Sequence, residues 1–511
     1  MSTSTAARAE QEGTTQPGLP PMWWIAIASA AALKTAFQMA TSPLYGLHRD
    51  EFYYLASGRH LAFGYVDNPP LVPWLYRLAD VLFGSSPEAL AVIPALIGGA
   101  IVILAAALAR ELGGGRRAQL LTAVAAWLGP LYLTTSHFLS TESAELALLG
   151  LAAWIVLRLM RTGQRQWWLP LGATLGLAVL AKDTAALWAV TSLVGLAAIG
   201  QRRLLASWWV AAGMAAAAIL IVPNVLWEAS HGWATVTFLG HLDADNRSSN
   251  LTQYLPLQLA IVTLGGTAVW VSGLRAGLGR GHKNLHGQSG RWVAVSWAMA
   301  FVVLFATGGK PYYIGAWYLP LVALGAVAVE ASWSGPAQRR VALAVVATGL
   351  LTAPLFTPVL PESALVAAHF DTTNKDLGGM LGWPHLVATV AAAAKTVPPG
   401  ERPRLVVLTN DYSEAGAIDY YGRTDGLPNA ISGHNTFWWW GWGAAKQTDP
   451  VLAVGIPEAT VRRYWGRLTE VATLGSDGVA VDPQERGAPV WLCQNQLLPW
   501  ASLWPNLRHY D

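Results

Sequence analysis

Long apolar runs recur along the chain from Met22 to Pro358, separated by short polar joints. Each approaches the ~20 residues that an α-helix needs to cross a bilayer. The pattern predicts about eleven transmembrane helices, near residues 22–42, 88–109, 118–136, 142–160, 167–181, 184–200, 205–223, 256–274, 292–307, 316–331 and 340–358. Residues 1–21 are polar and lack the basic-then-apolar order of a cleaved signal. They read as a disordered cytoplasmic tail, and Met22 opens a retained first span. From about Glu362 the period changes. Strands are expected at "RLVVLT" (404–409), "DPVLAVGI" (449–456) and "APVWLCQ", and helices at "SEAGAIDYYG" (413–422) and "EATVRRYWGRL". That alternation predicts a small α/β domain over 362–511, beside a transmembrane domain over 22–361. Within it, "NTFWWWGWG" (435–443) reads as an interfacial or packing segment, either a membrane-edge anchor or a sugar-stacking platform.

Basic residues orient the spans. They gather in alternate joints: Arg110, Arg116 and Arg117; Arg158, Arg161 and Arg165; Arg202 and Arg203; Arg275, Arg280, Lys283 and Arg291; Arg339 and Arg340. Such joints face the cytoplasm. Segments 43–87, 137–141, 224–255 and 308–315 then lie outside, with the amino terminus inside and the C-terminal domain extracytoplasmic. This is a multi-pass plasma-membrane topology. The outer loop 43–87 is too long to be a simple connection. Its "DEFYYLASGRHLAFG" and "NPPLVPWLYRLADVLFG" stretches predict two short interfacial helices, with Phe52, Leu55 and Ala56 on one face and Leu71, Leu75 and Leu78 in register on the other helix.

Composition agrees: 53% of residues are hydrophobic, 12% are charged, and the mean hydropathy is +0.36. A net charge of +3 without a basic stripe argues against nucleic acid as a partner. Cys493 is the single cysteine, so no internal disulfide forms. In so charge-poor a chain, the charges on the outer side stand out. Arg49, Asp50 and Glu51 follow the first span directly. Two acids in a first helical turn suit the helix dipole, but Arg49 beside them does not. Asp50 and Glu51 also point about 100° apart, so they do not share one task. Asp67, Glu142 and Glu145 lie on the same side, the last two on one helix face. Carboxylates of this kind suit a divalent cation, although nothing in their spacing demands one. Lys310, followed by Tyr312 and Tyr313, is the base of its outer loop and reads either as a snorkelling lysine or as a phosphate-binding one. His231 reads as a substrate contact or as an ordinary surface histidine. Lys34 lacks an evident partner in the first span, and Lys182 and Asp183 are placed to pair with each other.

The blocks "HRDEFYYLASGRHLAFGYVDNPPLVPWLYRLADVLFG", "PNVLWEASHGWATVTFL", "GGKPYYIGAWYLP" and "NDYSEAGAIDYYG" resemble the GT-C superfamily of glycosyltransferases. The similarity is to the family 39/83-like set, which holds protein O-mannosyltransferases and lipid A aminoarabinose transferases, in its actinobacterial form. The resemblance implies a polyprenyl-phosphate sugar donor and a lipid, glycan or protein hydroxyl acceptor on the outer face. It places Asp50 as the catalytic carboxylate with Glu51 beside it. Lys310, helped by Arg49 or Arg59, takes the lipid phosphate, and Tyr312, Tyr313, Asp67, His231 and Glu142 line the substrate. At Asp67-Asn68-Pro69 the chain departs from the family, which often has Lys where Asn68 stands. Glu142 stands where the family often has Asp. No cofactor is implied with certainty, and a divalent metal stays open. The rival readings are a polytopic transporter and a non-catalytic polyprenyl-lipid-binding protein.

Overall fold

The computed structural model describes residues 18–279 and 287–510. Most of the expected tail, and the loop bases Arg280 and Lys283, lie outside the described residues. The expected apolar runs are helical: Trp24–Thr41, Val92–Glu111, Thr141–Thr162, Trp168–Ala181, Thr184–Ala198, Trp208–Ser230, Gly287–Thr307, Gly315–Ser332 and Gly335–Thr352. Among the described residues, five helices are long and apolar enough to cross a membrane: Pro87–Glu111, Thr141–Thr162, Trp208–Ser230, Ser289–Thr307 and Pro311–Ser332. The chain is an α-helical polytopic membrane protein with a small sheet domain at its C-terminal end.

Two expected spans are interrupted, each for a local reason. The run at 118–136 splits into Arg116–Leu128 and Pro130–Thr134. Pro130 has no N–H to continue the ladder. The Leu131 amide bonds to Ile261 O instead, 3.3 Å away. The carbonyls this break leaves over receive Lys34, whose Nζ donates to Trp127 O at 3.0 Å and Tyr132 O at 3.3 Å. The buried lysine of the first span thus has its partners. The run at 256–274 is the end of a 27-residue helix, Ala234–Ala260, followed by a turn and Thr267–Leu278. Gly265 sits at that turn, and a Cβ there would lie 2.4 Å from the Ala344 backbone. Only glycine lets the two chains approach so closely. Much of the segment expected as a loop at 224–255 is therefore helix.

Both helices of the 43–87 loop form, as Arg49–Arg59 and Leu71–Phe83. The second keeps an exposed apolar row at Leu78, Val81, Leu82 and Phe83, as an interfacial helix should. The first does not lie open on a surface. Residues Glu51 to Gly58 are all buried, because the C-terminal domain covers one side of the helix and the Leu71–Phe83 helix another. Phe52, Tyr53, Tyr54 and Leu55 join one apolar cluster with Trp383, Leu386, Val407 and Ile418. Full burial of such side chains is worth roughly 1.5–3 kcal/mol each.

The C-terminal sheet has the order β2-β1-β3-β5-β4, built from β1 (Val406–Thr409), β2 (Ala430–Ser432), β3 (Val451–Val454), β4 (Trp465–Thr473) and β5 (Pro489–Gln496). β1 runs parallel to β2 and β3, while β5 is antiparallel to β3 and β4. β1 and β3 are buried throughout, which is why they read as unbroken apolar runs. The stretch expected as a helix from Glu458 keeps a single turn, Glu458–Val461, and then becomes β4. Pairing with β5 overrides its local preference. The Trp-rich segment is a short helix, Asn435–Trp440, packed on the 43–87 loop. Thr436 Oγ1 meets Tyr53 OH at 2.5 Å and Val66 N at 3.0 Å, and Trp440 stacks on His60.

Candidate active site

The Arg49–Arg59 helix starts on a capping box. His48 Nδ1 accepts from Asp50 N at 3.2 Å, and Glu51 Oε2 accepts from His48 N at 2.8 Å. Burial lowers His48 to about 4, so the ring is neutral and free to accept. Glu51 is consumed by this cap. Its other oxygen accepts from Tyr76 OH at 3.0 Å, and burial pushes its carboxyl up to about 7. Glu51 therefore faces into the fold, and Asp50 faces a cavity.

That cavity holds about 280 Å³. Its apolar lining includes Leu131, Phe138, Leu257 and Ile261. The same lining holds three acids, Asp50, Glu142 and Asp376, together with Tyr312. The Asp50 side chain is 32% exposed. Burial, and then the charges of Asp50 and Glu142, push Asp376 up to about 7, while Lys310 works against them. Lys310 lies 6.0 Å from the Tyr312 ring. Lys182 does not pair with Asp183. It pairs with Glu142 across the helix ends and sits 4.4 Å from the Tyr313 ring. Two lysines thus stand beside residues that line the cavity, Lys182 on Glu142 and Lys310 near Tyr312.

The other expected site residues are placed differently. Arg49 reaches out of the loop to the C-terminal domain, 3.3 Å from Asp411 Oδ2 and 4.0 Å from Asp482 Oδ2. Arg59 is at the far end of the same helix, on Asp80 at 3.6 Å, roughly 13 to 14 Å along the axis from Asp50. Asp67 accepts from Tyr53 OH at 2.6 Å and Asn435 Nδ2 at 3.3 Å, and burial raises it to about 6. His231 stacks on Trp227 and meets the edge of Trp439, so it serves the packing of the Trp-rich helix. Among the described residues, no group of three or more His, Cys, Asp or Glu side chains is placed to hold a metal ion.

Sequence reasoning missed Asp376 and Tyr412. The Tyr412 hydroxyl donates to Asp50 Oδ1 at 2.8 Å, across 362 residues of chain. Tyr412 opens the Tyr412–Tyr421 helix, whose cap pairs Asp411 with Glu414. The "DYSE" spacing of that cap was legible; its contact with Asp50 was not. Asp376 gave no signal, because a lone acid in a short helix has no pattern.

Residues 67–227 match the family model described as dolichyl-phosphate-mannose-protein mannosyltransferase, a match that starts after Asp50. No curated protein matches the sequence. Among solved structures, the chain is similar to ArnT from Cupriavidus metallidurans bound to undecaprenyl phosphate, at 17% identity and a TM-score of 0.61, covering 92% of this chain and 97% of that one. The apo state of the same protein gives 18% identity, a TM-score of 0.56 and coverage of 94% and 98%. The arabinofuranosyltransferase AftD from Mycobacteria gives 16% identity and a TM-score of 0.54, covering 93% of this chain and 40% of that one. The chain thus shares its fold with these solved glycosyltransferase structures.

Proposed function

We propose that the chain is a plasma-membrane glycosyltransferase that moves a sugar from a polyprenyl phosphate to a hydroxyl acceptor on the outer face. The observation that carries this reading is Asp50, partly exposed in a cavity lined by apolar residues and acids, with Lys310 beside Tyr312 and Lys182 on Glu142. The apolar lining suits the first units of a polyprenyl chain. Lys310 suits its phosphate, with Tyr312 and Tyr313 alongside. Asp50 takes the proton of the acceptor hydroxyl as that oxygen attacks the anomeric carbon. The bond from that carbon to the phosphate oxygen breaks, and polyprenyl phosphate leaves with its charge countered by Lys310. A single displacement inverts the anomeric configuration. The binding of undecaprenyl phosphate by the similar ArnT supports a lipid-linked donor. The division into a membrane domain over 22–361, with its 43–87 loop, and an extracytoplasmic domain over 362–511 belongs to the same proposal.

The test uses purified full-length protein in lipid nanodiscs. It is offered undecaprenyl or decaprenyl phosphates carrying mannose, arabinose or aminoarabinose, with a cell-envelope extract as acceptor. Release of polyprenyl phosphate is measured. Asp50→Asn is expected to cut turnover by about 10²–10⁴-fold, while the variant still binds undecaprenyl phosphate. Turnover that survives Asp50→Asn, or a product of retained configuration, would refute the mechanism.

A further inference from the structure

We propose that Tyr412, carried by the C-terminal domain, is a positioning residue for Asp50, so that docking of this domain completes the active site. The inference rests on the reading of Asp50 as the reacting carboxylate. It starts from a register. Arg49 and Asp50 are consecutive on one helix, and Asp411 and Tyr412 are consecutive at the start of another. Arg49 pairs with Asp411 at 3.3 Å, and Asp50 accepts from Tyr412 at 2.8 Å. The ion pair that docks the domain therefore sets the neighbouring hydrogen bond as well.

The donor end is held rigidly. Asp411 Oδ1 accepts from Ser413 N at 2.6 Å, and Glu414 Oε2 accepts from the Asn410 and Asp411 amides at 3.0 Å each. Burial alone would raise Asp411, but His434 and Arg49 hold its carboxyl well below the usual range. The Tyr412 ring is wedged between Tyr53 at 4.7 Å and His434 at 4.8 Å, with the Arg49 guanidinium 5.6 Å from its centroid. The Tyr412 hydroxyl donates and Asp50 Oδ1 accepts, so the hydroxyl proton points at Asp50. Oδ1 is thereby occupied. Oδ2 stands 3.8 Å from His48 Nδ1, beyond hydrogen-bond reach, and is the oxygen left to take a proton.

The location fits the sheet. Asp411 follows the carboxyl end of β1, the middle strand of a parallel trio in which β2 and β3 lie on opposite sides. Open α/β sheets bind ligands in the crevice at such a point. Here the chain's own Arg49 docks there. The C-terminal domain is on this view a fixed wall of the site.

The test has two readouts on the full-length protein. The first is independent of turnover: labelling of Asp50 by a water-soluble carbodiimide, read by peptide mass spectrometry. Carbodiimides attack accessible carboxyl oxygens, and the Tyr412 hydroxyl covers Asp50 Oδ1. Tyr412→Phe keeps the ring and removes the donor. It is expected to raise Asp50 labelling roughly 10-fold, with Glu142 and Asp376 unchanged. Unchanged Asp50 labelling overturns the proposal. The second readout is kinetic, with whichever donor the wild type accepts. Tyr412→Phe is expected to lower kcat by about 10- to 100-fold and to leave donor KM nearly constant. An unchanged kcat, or a loss confined to KM, overturns it too. If the wild type transfers no sugar but the labelling rises, the glycosyltransferase reading falls and the Tyr412–Asp50 link stands. Should Tyr412→Phe fail to fold, Asp411→Asn weakens the docking pair and must raise the labelling likewise; no rise again overturns the proposal.

Discussion

Asp50 and Glu51 leave their helix about 100° apart, and that angle separates their surroundings completely. Asp50 is partly open to the cavity, whereas Glu51 is 4% exposed and bonded to His48 N and Tyr76 OH. A pH dependence follows for Glu51. Burial raises its folded-state pKa from 4.5 to about 7, so the folded chain holds a proton that the unfolded chain releases earlier. The stability this contributes is fully present below pH 4.5 and is lost as the pH rises through 7. Glu51→Gln cannot ionise. Between pH 5 and pH 7 the wild type is therefore expected to lose more thermal stability than Glu51→Gln, as measured by differential scanning fluorimetry. Parallel melting curves would contradict this assignment.

At the scale of elements, the decisive contact is between the Arg49–Arg59 and Tyr412–Tyr421 helices. Gly416 makes it close: a Cβ there would lie 2.7 Å from Phe52 Cβ and 3.0 Å from its backbone carbon. Phe52 is buried and its backbone cannot yield cheaply. Gly416→Leu is expected to push the helices apart, at a cost of about 1–3 kcal/mol. It touches no substrate, yet it should loosen both Arg49–Asp411 and Tyr412–Asp50. Turnover should fall and Asp50 labelling should rise together. Wild-type turnover in a folded Gly416→Leu protein would show that this approach does not matter. The existence of both helices was readable from their periods and caps. Their contact was not, because a glycine inside an apolar helix carries no record of what it meets.

Over the whole molecule, one apolar cluster runs from Leu47 through the 43–87 loop and into the C-terminal sheet at Val407, Leu452 and Val490. The loop and the C-terminal domain therefore share a core, although 362–511 is continuous in sequence and the loop lies far upstream. A chain ended after Pro361 would strip Phe52 of Trp383, Tyr420 and Tyr421, and Tyr53 of Tyr412 and Phe437, at up to roughly 1.5–3 kcal/mol each. Such a fragment is expected to aggregate, and its Arg49–Arg59 amides should exchange hydrogen as fast as an open loop. A monodisperse fragment with those amides protected would count against a shared core. The sequence by itself determined most of the helices, several of the strands, and the place of Asp50 just after the first apolar run. Bilayer transfer and strand or helix period are properties of a short window, and a window is what a sequence displays. Only the tertiary structure decided that Asp50, Glu142 and Asp376 share a cavity, that Lys182 serves Glu142, and that Tyr412 reaches Asp50 from 362 residues away. Those relations depend on how packed backbones approach one another, which no local pattern encodes.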